Sequence, residues 1–348
     1  MTHRPDRFAI TVAAFALLIP LLTVGCSDDP SGVENASQDA DAGEQGGTFD
    51  VDEGAADSGI DSSEDELEPY ETGEYTVATD EITDGPVDVV VFYPEEADDG
   101  PLVVFQHGFL MANTHYSELL THVASHGHVV VAPQMYEPGG FPTSAPSTEE
   151  EAELANELYD WVDEELVNFV DVDTDRLGLA GHSRGAKVIW WALGDVPRTV
   201  EAVAGVDPVD GTGGPLDDDP QVLEDPVDID APLVALGTGL GSESAGVGQP
   251  ACAPEDENYE EFFAASSPPA WQIVAPDYGH LDMLDDDPDG CGLECEVCVD
   301  GDTRAPMRQL TGGVLVALFG GAFDGVDAWF DVLEDDQRAP VDIETEAK

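Results

Sequence analysis

The segment Gly181–Gly185, with the sequence GHSRG, constrains the fold more than any other part of the chain. The apolar run LGLA precedes it at 177–180, and the apolar stretch AKVIWWAL follows at 186–193. A GxSxG pattern between a buried strand and a helix is typical of a sharp turn that exposes a serine hydroxyl, with glycines where the backbone comes too close for a Cβ atom. We therefore expect Ser183 to be a nucleophile. The alternative is a glycine-rich turn without chemistry.

Short β-branched runs alternate with helix-length segments over residues 72–335. This order predicts an α/β fold in which helices cover both faces of a doubly wound, mostly parallel sheet. We expect these residues to form one catalytic domain. The predicted strands are 87–93, 102–106, 128–132, 177–180, 200–206, 233–236 and 271–274, and the predicted helices are 117–125, 149–169, 184–193 and 307–332.

The N-terminal residues have the layout of an export signal. Arg4 and Arg7 precede an uncharged run at 8–24, which is short for a membrane span. The sequence LTVGC, which ends at Cys26, resembles the lipobox of prokaryotic lipoproteins, where the cysteine is acylated. We expect residues 1–26 to be a lipoprotein-type signal peptide and the protein to be exported and anchored by lipid on the extracytoplasmic side of the membrane. Plain secretion is the alternative.

Two acidic segments flank the predicted domain. Residues 27–71 are rich in Asp, Glu, Gly, Ser and Ala and contain few large apolar side chains. Such a segment buries too little surface to offset the entropy of ordering, so we expect a disordered linker. We expect residues 336–348 to form an acidic tail.

The charge of the chain excludes some partners and indicates a habitat. Asp and Glu number 76 against 10 Lys and Arg, which gives a formal net charge of -66. Such a chain repels nucleic acid and anionic lipid surfaces. Because concentrated salt screens like charges, we expect a surface adapted to saline conditions. An acidic protein from an ordinary habitat is the alternative.

Five cysteines are present, and four remain for other roles if Cys26 carries lipid. In an oxidising compartment an even number favours two disulfides, and four cysteines allow three pairings. The spacing CxxxCxxC of the last three is also compatible with zinc, but a fourth ligand is not evident, so we expect no metal site. The disulfide candidates are Cys252, Cys291, Cys295 and Cys298.

A serine hydroxyl needs a neighbouring base to become a nucleophile. In folds with this turn, the catalytic residues follow the order serine, acid, histidine along the chain. His280 is the one histidine after Ser183, and it lies in a loop that follows the predicted strand 271–274. We therefore expect His280 to be the base, and its alternative role is that of a surface loop residue.

The third residue must be a carboxylate that orients the imidazole. The predicted strand 200–206 ends directly before Asp207, whereas no carboxylate follows the strand 233–236 until Glu243. Active sites of open parallel sheets lie at the carboxyl ends of the strands. We therefore predict Asp207 as the acid, with Asp210 as the alternative.

Two backbone amides should stabilise the oxyanion that forms during acyl transfer. One is expected from Arg184, the residue after the nucleophile. The other is expected from Phe109, in the HGF sequence that follows the strand 102–106. His107, the first residue of that sequence, suits a buried structural role better than proton transfer.

With these residues in place, the chain resembles the chlorophyllase family, whose members are α/β hydrolases that release phytol from chlorophyll by cleaving its ester. The resemblance implies the α/β-hydrolase fold, and it places the family's catalytic serine, aspartate and histidine at Ser183, Asp207 and His280. It covers about 87–333 and includes PLVVFQHGFLMANTHYSELLTHVASHGHVVVAPQMY, GHSRG, GVDPVDGT, GTGLG, CAP, DYGHLDMLDD and PMRQLTGG.

The chain departs from the family at Ala186, where a further glycine is usual, and in its N-terminal and acidic features. We expect a serine carboxylic-ester hydrolase that acts on a small hydrophobic ester without a metal or organic cofactor. The alternatives are a general lipid or polyester esterase, another hydrolase reaction such as amide or dienelactone cleavage, and a binding lipoprotein without catalysis.

Overall fold

A computed structural model describes residues 67–97, 99–139, 145–196, 198–211, 219–223, 229–246, 249–288, 297–301 and 303–348. The predicted signal peptide with Cys26, most of the predicted linker, Cys291 and Cys295 lie outside these residues. Among the helices formed by this part of the chain, none is long and apolar enough to cross a membrane.

The described residues form one sheet whose centre is parallel. β4, β3, β5, β6, β7 and β8 are neighbours in that order and run parallel, while β1 and β2 at one edge and β9 at the other pair antiparallel. This arrangement confirms the predicted mostly parallel sheet. The strands are β1 Val77–Ile82, β2 Asp88–Pro94, β3 Gly100–Gln106, β4 Val129–Gln134, β5 Val172–His182, β6 Ala202–Val206, β7 Leu233–Thr238, β8 Ala270–Ala275 and β9 Glu344–Ala347.

Helices cover both faces of the sheet, as predicted for a doubly wound fold. Alternate side chains of β3 point to opposite faces, so that Val103 and Phe105 pack with α1, α5 and α6, while Leu102 and Val104 pack with α2, α3 and α4. Each face thus has its own apolar core, as in α/β-hydrolase folds. The helices are α1 Ser117–Ser125, α2 Thr148–Glu164, α3 Arg184–Ala192, α4 Tyr259–Ala265, α5 Ala305–Asp324 and α6 Asp327–Leu333.

The ends of the domain differ from the sequence-based expectation. Tyr70 is buried, and a Cβ atom on Gly313 of α5 would lie 2.1 Å from its ring, so the packed chain begins before residue 72. Residues 344–347, expected within an acidic tail, form the edge strand β9. Backbone groups make this pairing, and the charged side chains remain exposed, as is usual for edge strands.

The carboxyl ends of the six parallel strands lie on the same side of the molecule. β3, β4, β5, β6, β7 and β8 all end there, because parallel neighbours share their direction. The residues that follow these strands include every residue that the sequence analysis predicted for catalysis.

Candidate active site

The turn after β5 has the strained geometry expected from the GxSxG pattern. Ser183 has φ 54° and ψ -125°, a region that costs about 1–3 kcal/mol for a residue other than glycine. Its amide donates to the Val206 carbonyl at 3.0 Å, which fixes the turn against β6. A Cβ atom on Gly181 would lie 2.6 Å from the Gly185 carbonyl carbon, and one on Gly185 would lie 2.4 Å from the Gln106 oxygen. Both glycines of GHSRG are therefore required by close backbone contacts.

Ser183, His280 and Asp207 form a continuous chain of hydrogen bonds. The Ser183 Oγ lies 2.8 Å from His280 Nε2, and His280 Nδ1 lies 2.6 Å from Asp207 Oδ2. An ionised carboxylate only accepts, so Nδ1 carries the proton and Nε2 is free to accept from the serine hydroxyl. All three side chains are buried. The structure thus brings together three residues from the ends of β5, β6 and β8.

Thr238 also holds the Asp207 carboxylate. Its amide donates to Asp207 Oδ1 at 3.0 Å, and its hydroxyl donates to Oδ2 at 2.8 Å. The Asp207 amide donates to the Leu236 carbonyl, which ties the residue to β7. The sequence analysis missed Thr238, although its place at the end of β7, beside β6, is a signal that could have found it.

His107 fixes the peptide that contains the Phe109 amide. The Gly108 carbonyl only accepts, so His107 Nδ1 donates to it at 2.8 Å, and His107 Nε2 accepts from the Met135 amide at 3.1 Å. Burial lowers the pKa of His107 to about 4, which keeps the ring neutral. Because the N–H and C=O of a trans peptide point in opposite directions, a fixed Gly108 carbonyl also fixes the direction of the Phe109 N–H. The structural role predicted for His107 agrees with these contacts.

The two residues predicted to supply oxyanion donors lie against each other. The Arg184 guanidinium carbon is 5.8 Å from the centroid of the Phe109 ring. The next amide, that of Leu110, donates to the Tyr136 hydroxyl at 3.0 Å. The loop after β3 and the start of α3 therefore meet beside Ser183.

Comparison with known proteins shows the family of this chain. The profile named Chlorophyllase matches residues 66–348. Chlorophyllase-2 of Arabidopsis thaliana is 36% identical over 274 residues, which cover 74% of this chain and 85% of the relative. The chloroplastic Chlorophyllase-1 of Citrus unshiu is 34% identical over 267 residues, which cover 75% and 80%. The chain belongs to the chlorophyllase family. It is a carboxylic ester hydrolase of the α/β-hydrolase fold.

In this chlorophyllase-family enzyme, Asp210 belongs to a different cluster from Asp207. Its carboxylate accepts from the amides of Val222 and Leu223 at 2.8 and 3.0 Å. It also lies 3.6 Å from the buried Lys187 ammonium. Asp210 therefore braces the segment around residue 222 against α3.

Arg184 extends the same cluster through its side chain. It donates to Glu151 at 2.7 Å, to Asp219 at 2.6 Å and to the Pro146 carbonyl at 2.8 Å. Burial raises the pKa of Glu151 to about 7, although the guanidinium opposes this shift. The pKa of Asp219 is lowered to about 2. Burial alone would raise it, but the hydrogen bonds from Thr148 and the charge of Arg184 outweigh that effect. These contacts hold the first turn of α3 in place from its outer side.

In this family member, hydrogen bonds and a disulfide hold the loop that carries His280. Asp282 is buried, and its Oδ2 accepts from the amides of Gly279 and Gly301 at 2.7 Å each. A disulfide joins Cys252 to Cys298 and links the segment after β7 to the one after this loop. It selects one of the pairings left open by the sequence, and Cys291 and Cys295 lie outside the described residues. Within those residues, no group of three or more His, Cys, Asp or Glu side chains could hold a metal ion.

Proposed function

We propose that the chain hydrolyses a hydrophobic carboxylic ester by two-step acyl transfer, with Ser183 as nucleophile, His280 as general base and Asp207 as the orienting acid. The supporting observation is the chain of hydrogen bonds from Asp207 through His280 to the Ser183 hydroxyl, with distances of 2.6 and 2.8 Å. It has the order and the proton positions that such a mechanism needs.

In the first step, the Ser183 oxygen attacks the ester carbonyl carbon while His280 Nε2 takes the hydroxyl proton. Asp207 stabilises the imidazolium that forms. The carbonyl oxygen becomes an oxyanion, which accepts hydrogen bonds from the amides of Phe109 and Arg184. The rigid hold on Gly108 and on α3 means that these donors do not need to reorganise during the reaction.

The tetrahedral intermediate then collapses. His280 Nε2–H protonates the departing alcohol oxygen as the ester bond breaks, which leaves an acyl group on Ser183. Water attacks this second ester with His280 again as base, and the acid is released while Ser183 regains its proton. Each proton transfer uses His280, so the route requires neither a metal nor an organic cofactor.

We propose an ester with a long apolar alcohol as the substrate, with chlorophyll as the first candidate because the relatives are named chlorophyllases. Phe109 is partly exposed and supplies apolar surface at the predicted donors, whereas Leu110 and Met111 are buried. The alternative substrates are general lipid or polyester compounds.

The test compares hydrolysis of chlorophyll with that of short-chain and long-chain p-nitrophenyl esters in concentrated salt. We expect Ser183→Ala to abolish hydrolysis of all these esters. Ser266→Ala is the matched control, because Ser266 lies at the end of α4 and its hydroxyl donates to the Phe262 carbonyl. Full activity in Ser183→Ala would refute the mechanism, and ester hydrolysis without release of phytol would favour the general esterase.

We also propose that residues 1–26 direct export and that lipid on Cys26 anchors the enzyme to the membrane, with secretion as the alternative. The support is the LTVGC sequence, together with a disulfide that suits an oxidising compartment. Mass spectrometry of the mature N-terminus after bacterial expression is the test. We expect an acylated Cys26, and we expect Cys26→Ala to move the enzyme from the membrane fraction to the soluble fraction.

A further inference from the structure

A second chain of hydrogen bonds connects the oxyanion loop to the loop of His280. The Gly108 amide donates to the Tyr116 hydroxyl oxygen at 3.0 Å, and this oxygen lies 2.8 Å from His182 Nδ1. His182 Nε2 lies 2.8 Å from the His280 carbonyl oxygen. Tyr116, His182 and His280 are all buried. The chain therefore runs through the interior from one loop to the other.

The direction of every hydrogen bond in this chain follows from its two ends. The His280 carbonyl only accepts, so His182 Nε2 carries a proton. Burial lowers the pKa of His182 well below its usual value, and the nearby His280 lowers it further, so the ring is neutral and Nδ1 is bare. Tyr116 therefore donates its proton to Nδ1, and its oxygen accepts from the Gly108 amide.

Close contacts leave Tyr116 and His182 little room to move. A Cβ atom on Gly108 would lie 2.7 Å from His182 Nδ1 and 3.2 Å from the Tyr116 hydroxyl oxygen. The rings of His182 and His280 have centroids 4.7 Å apart. Gly108 is thus held at both of its backbone groups, its amide by Tyr116 and its carbonyl by His107.

We propose that Tyr116 and His182 are positioning residues that hold the Phe109 amide and the His280 imidazole in the relative positions that acyl transfer needs. The proposal rests on the proposed function, because it assigns these two residues to the same reaction. Tyr116 acts on the oxyanion donor through Gly108. His182 acts on the base through the backbone of His280.

The first test is Tyr116→Phe, which removes the hydroxyl and keeps the ring. We expect kcat for a p-nitrophenyl ester to fall about tenfold, because the Gly108 amide and His182 Nδ1 both lose their partner, while KM stays within twofold. Tyr159→Phe is the matched control, since Tyr159 is also fully buried but its hydroxyl has no partner among the described residues. An unchanged kcat in Tyr116→Phe, or a loss confined to KM, would overturn the proposal.

The second test asks whether the two residues act as one bridge. We expect the loss of kcat in Tyr116→Phe combined with His182→Gln to be smaller than the product of the two single losses, because both variants remove the same contact between Tyr116 and His182. Losses that multiply in the double variant would show that the residues act separately and would overturn the bridge.

A third measurement detects the proton positions in the wild-type enzyme and does not depend on the activity of any variant. Nitrogen-15 NMR of the wild-type enzyme should show His182 with a protonated Nε2 and a bare Nδ1, with the signal assigned through its absence in His182→Gln. A protonated Nδ1 would overturn the proposed direction of the hydrogen bonds.

The outcomes also tell the two proposals apart. If Ser183→Ala keeps full activity, the proposed function fails by itself. If Ser183→Ala is inactive and Tyr116→Phe is unaffected, only the positioning role fails.

Discussion

Asp207 and Asp210 lie three residues apart at the end of one strand, yet their surroundings give them different tasks. The Asp207 carboxylate accepts hydrogen bonds from the amide and the hydroxyl of Thr238, and it lies next to His280 Nδ1. Asp210 faces Lys187 and two backbone amides. The direction in which each side chain leaves the turn decides whether the carboxylate can orient the imidazole.

Asp207→Asn should therefore lower kcat by about 10⁴-fold, because an amide no longer fixes the Nδ1 proton of His280 and no longer stabilises the imidazolium. Asp210→Asn is the matched comparison. It should lower the melting temperature, because the buried Lys187 keeps Asp219 but loses Asp210 as a charged partner, while kcat of the folded enzyme stays within threefold. Steady-state kinetics and thermal unfolding of both variants would check this, and the reverse pattern would make Asp210 the acid.

The sequence was sufficient to predict residues that sit at recognisable places along the chain. Ser183 lies in a turn pattern, and His280 and Asp207 each follow a predicted strand. Tyr116 could not be found in this way, because it is 66 residues from its partner His182 and no pattern connects the two. Side chains whose roles depend on contacts between distant loops require the folded structure.

At the scale of elements, the C-terminal helix shows what periodicity alone cannot resolve. The sequence predicts a single helix at 307–332, but the structure has α5 and α6 with Gly325 between them at φ 65°. The rings of Trp329 and Phe330 fold back onto α5, where side chains on Gly320 and Gly321 would lie within 3 Å of them. Apolar residues continue from α5 into α6, so the hydrophobic pattern alone does not indicate that α5 ends before Gly325.

Gly325→Ala should lower the free energy of unfolding by about 1 kcal/mol, because an L residue is strained at this positive φ even though a Cβ atom would meet nothing within 4 Å. Gly325→Asn should cost less, since asparagine tolerates the left-handed region better than alanine. Urea unfolding of both variants is the measurement. Equal stability of Gly325→Ala and the wild type would contradict the argument, and ester hydrolysis should be unchanged in both.

At the scale of the whole molecule, four of the eight Lys and Arg residues that the structure describes hold elements together inside the fold. Arg184, Lys187, Arg198 and Arg308 all lie in ion pairs with little side-chain exposure. They hold elements together, so few positive charges remain to balance the many carboxylates on the surface. We therefore expect the net charge of -66 to act as repulsion between the carboxylates of the enzyme.

Salt should stabilise the fold as a result. We expect the free energy of unfolding to be higher in about 2 M than in about 0.1 M NaCl, because the Debye length falls from about 10 Å to less than 3 Å. Denaturant unfolding at both concentrations is the measurement, with sucrose of equal osmolality as a control without charge. Equal stability at both salt concentrations would contradict the prediction.

Acid should destabilise the fold through buried histidines. Burial lowers the pKa of His128 to about 4, so the unfolded chain binds a proton near pH 6 that the folded chain excludes. The stability that this group contributes is present above about pH 6.5 and is lost as the pH falls toward 4, at up to about 1.4 kcal/mol per pH unit. His128→Gln should flatten the fall in stability between pH 6.5 and 4. An unchanged slope would contradict this assignment.

The placement of Lys187 has a practical consequence for labelling. The chain has two lysines, and the Lys187 side chain is 3% exposed, whereas Lys348 lies at the surface. An amine-reactive dye should therefore modify a single lysine in the native enzyme and two after denaturation. The number of dye molecules attached to lysine, counted by peptide mass spectrometry, would then report directly on whether a variant is folded.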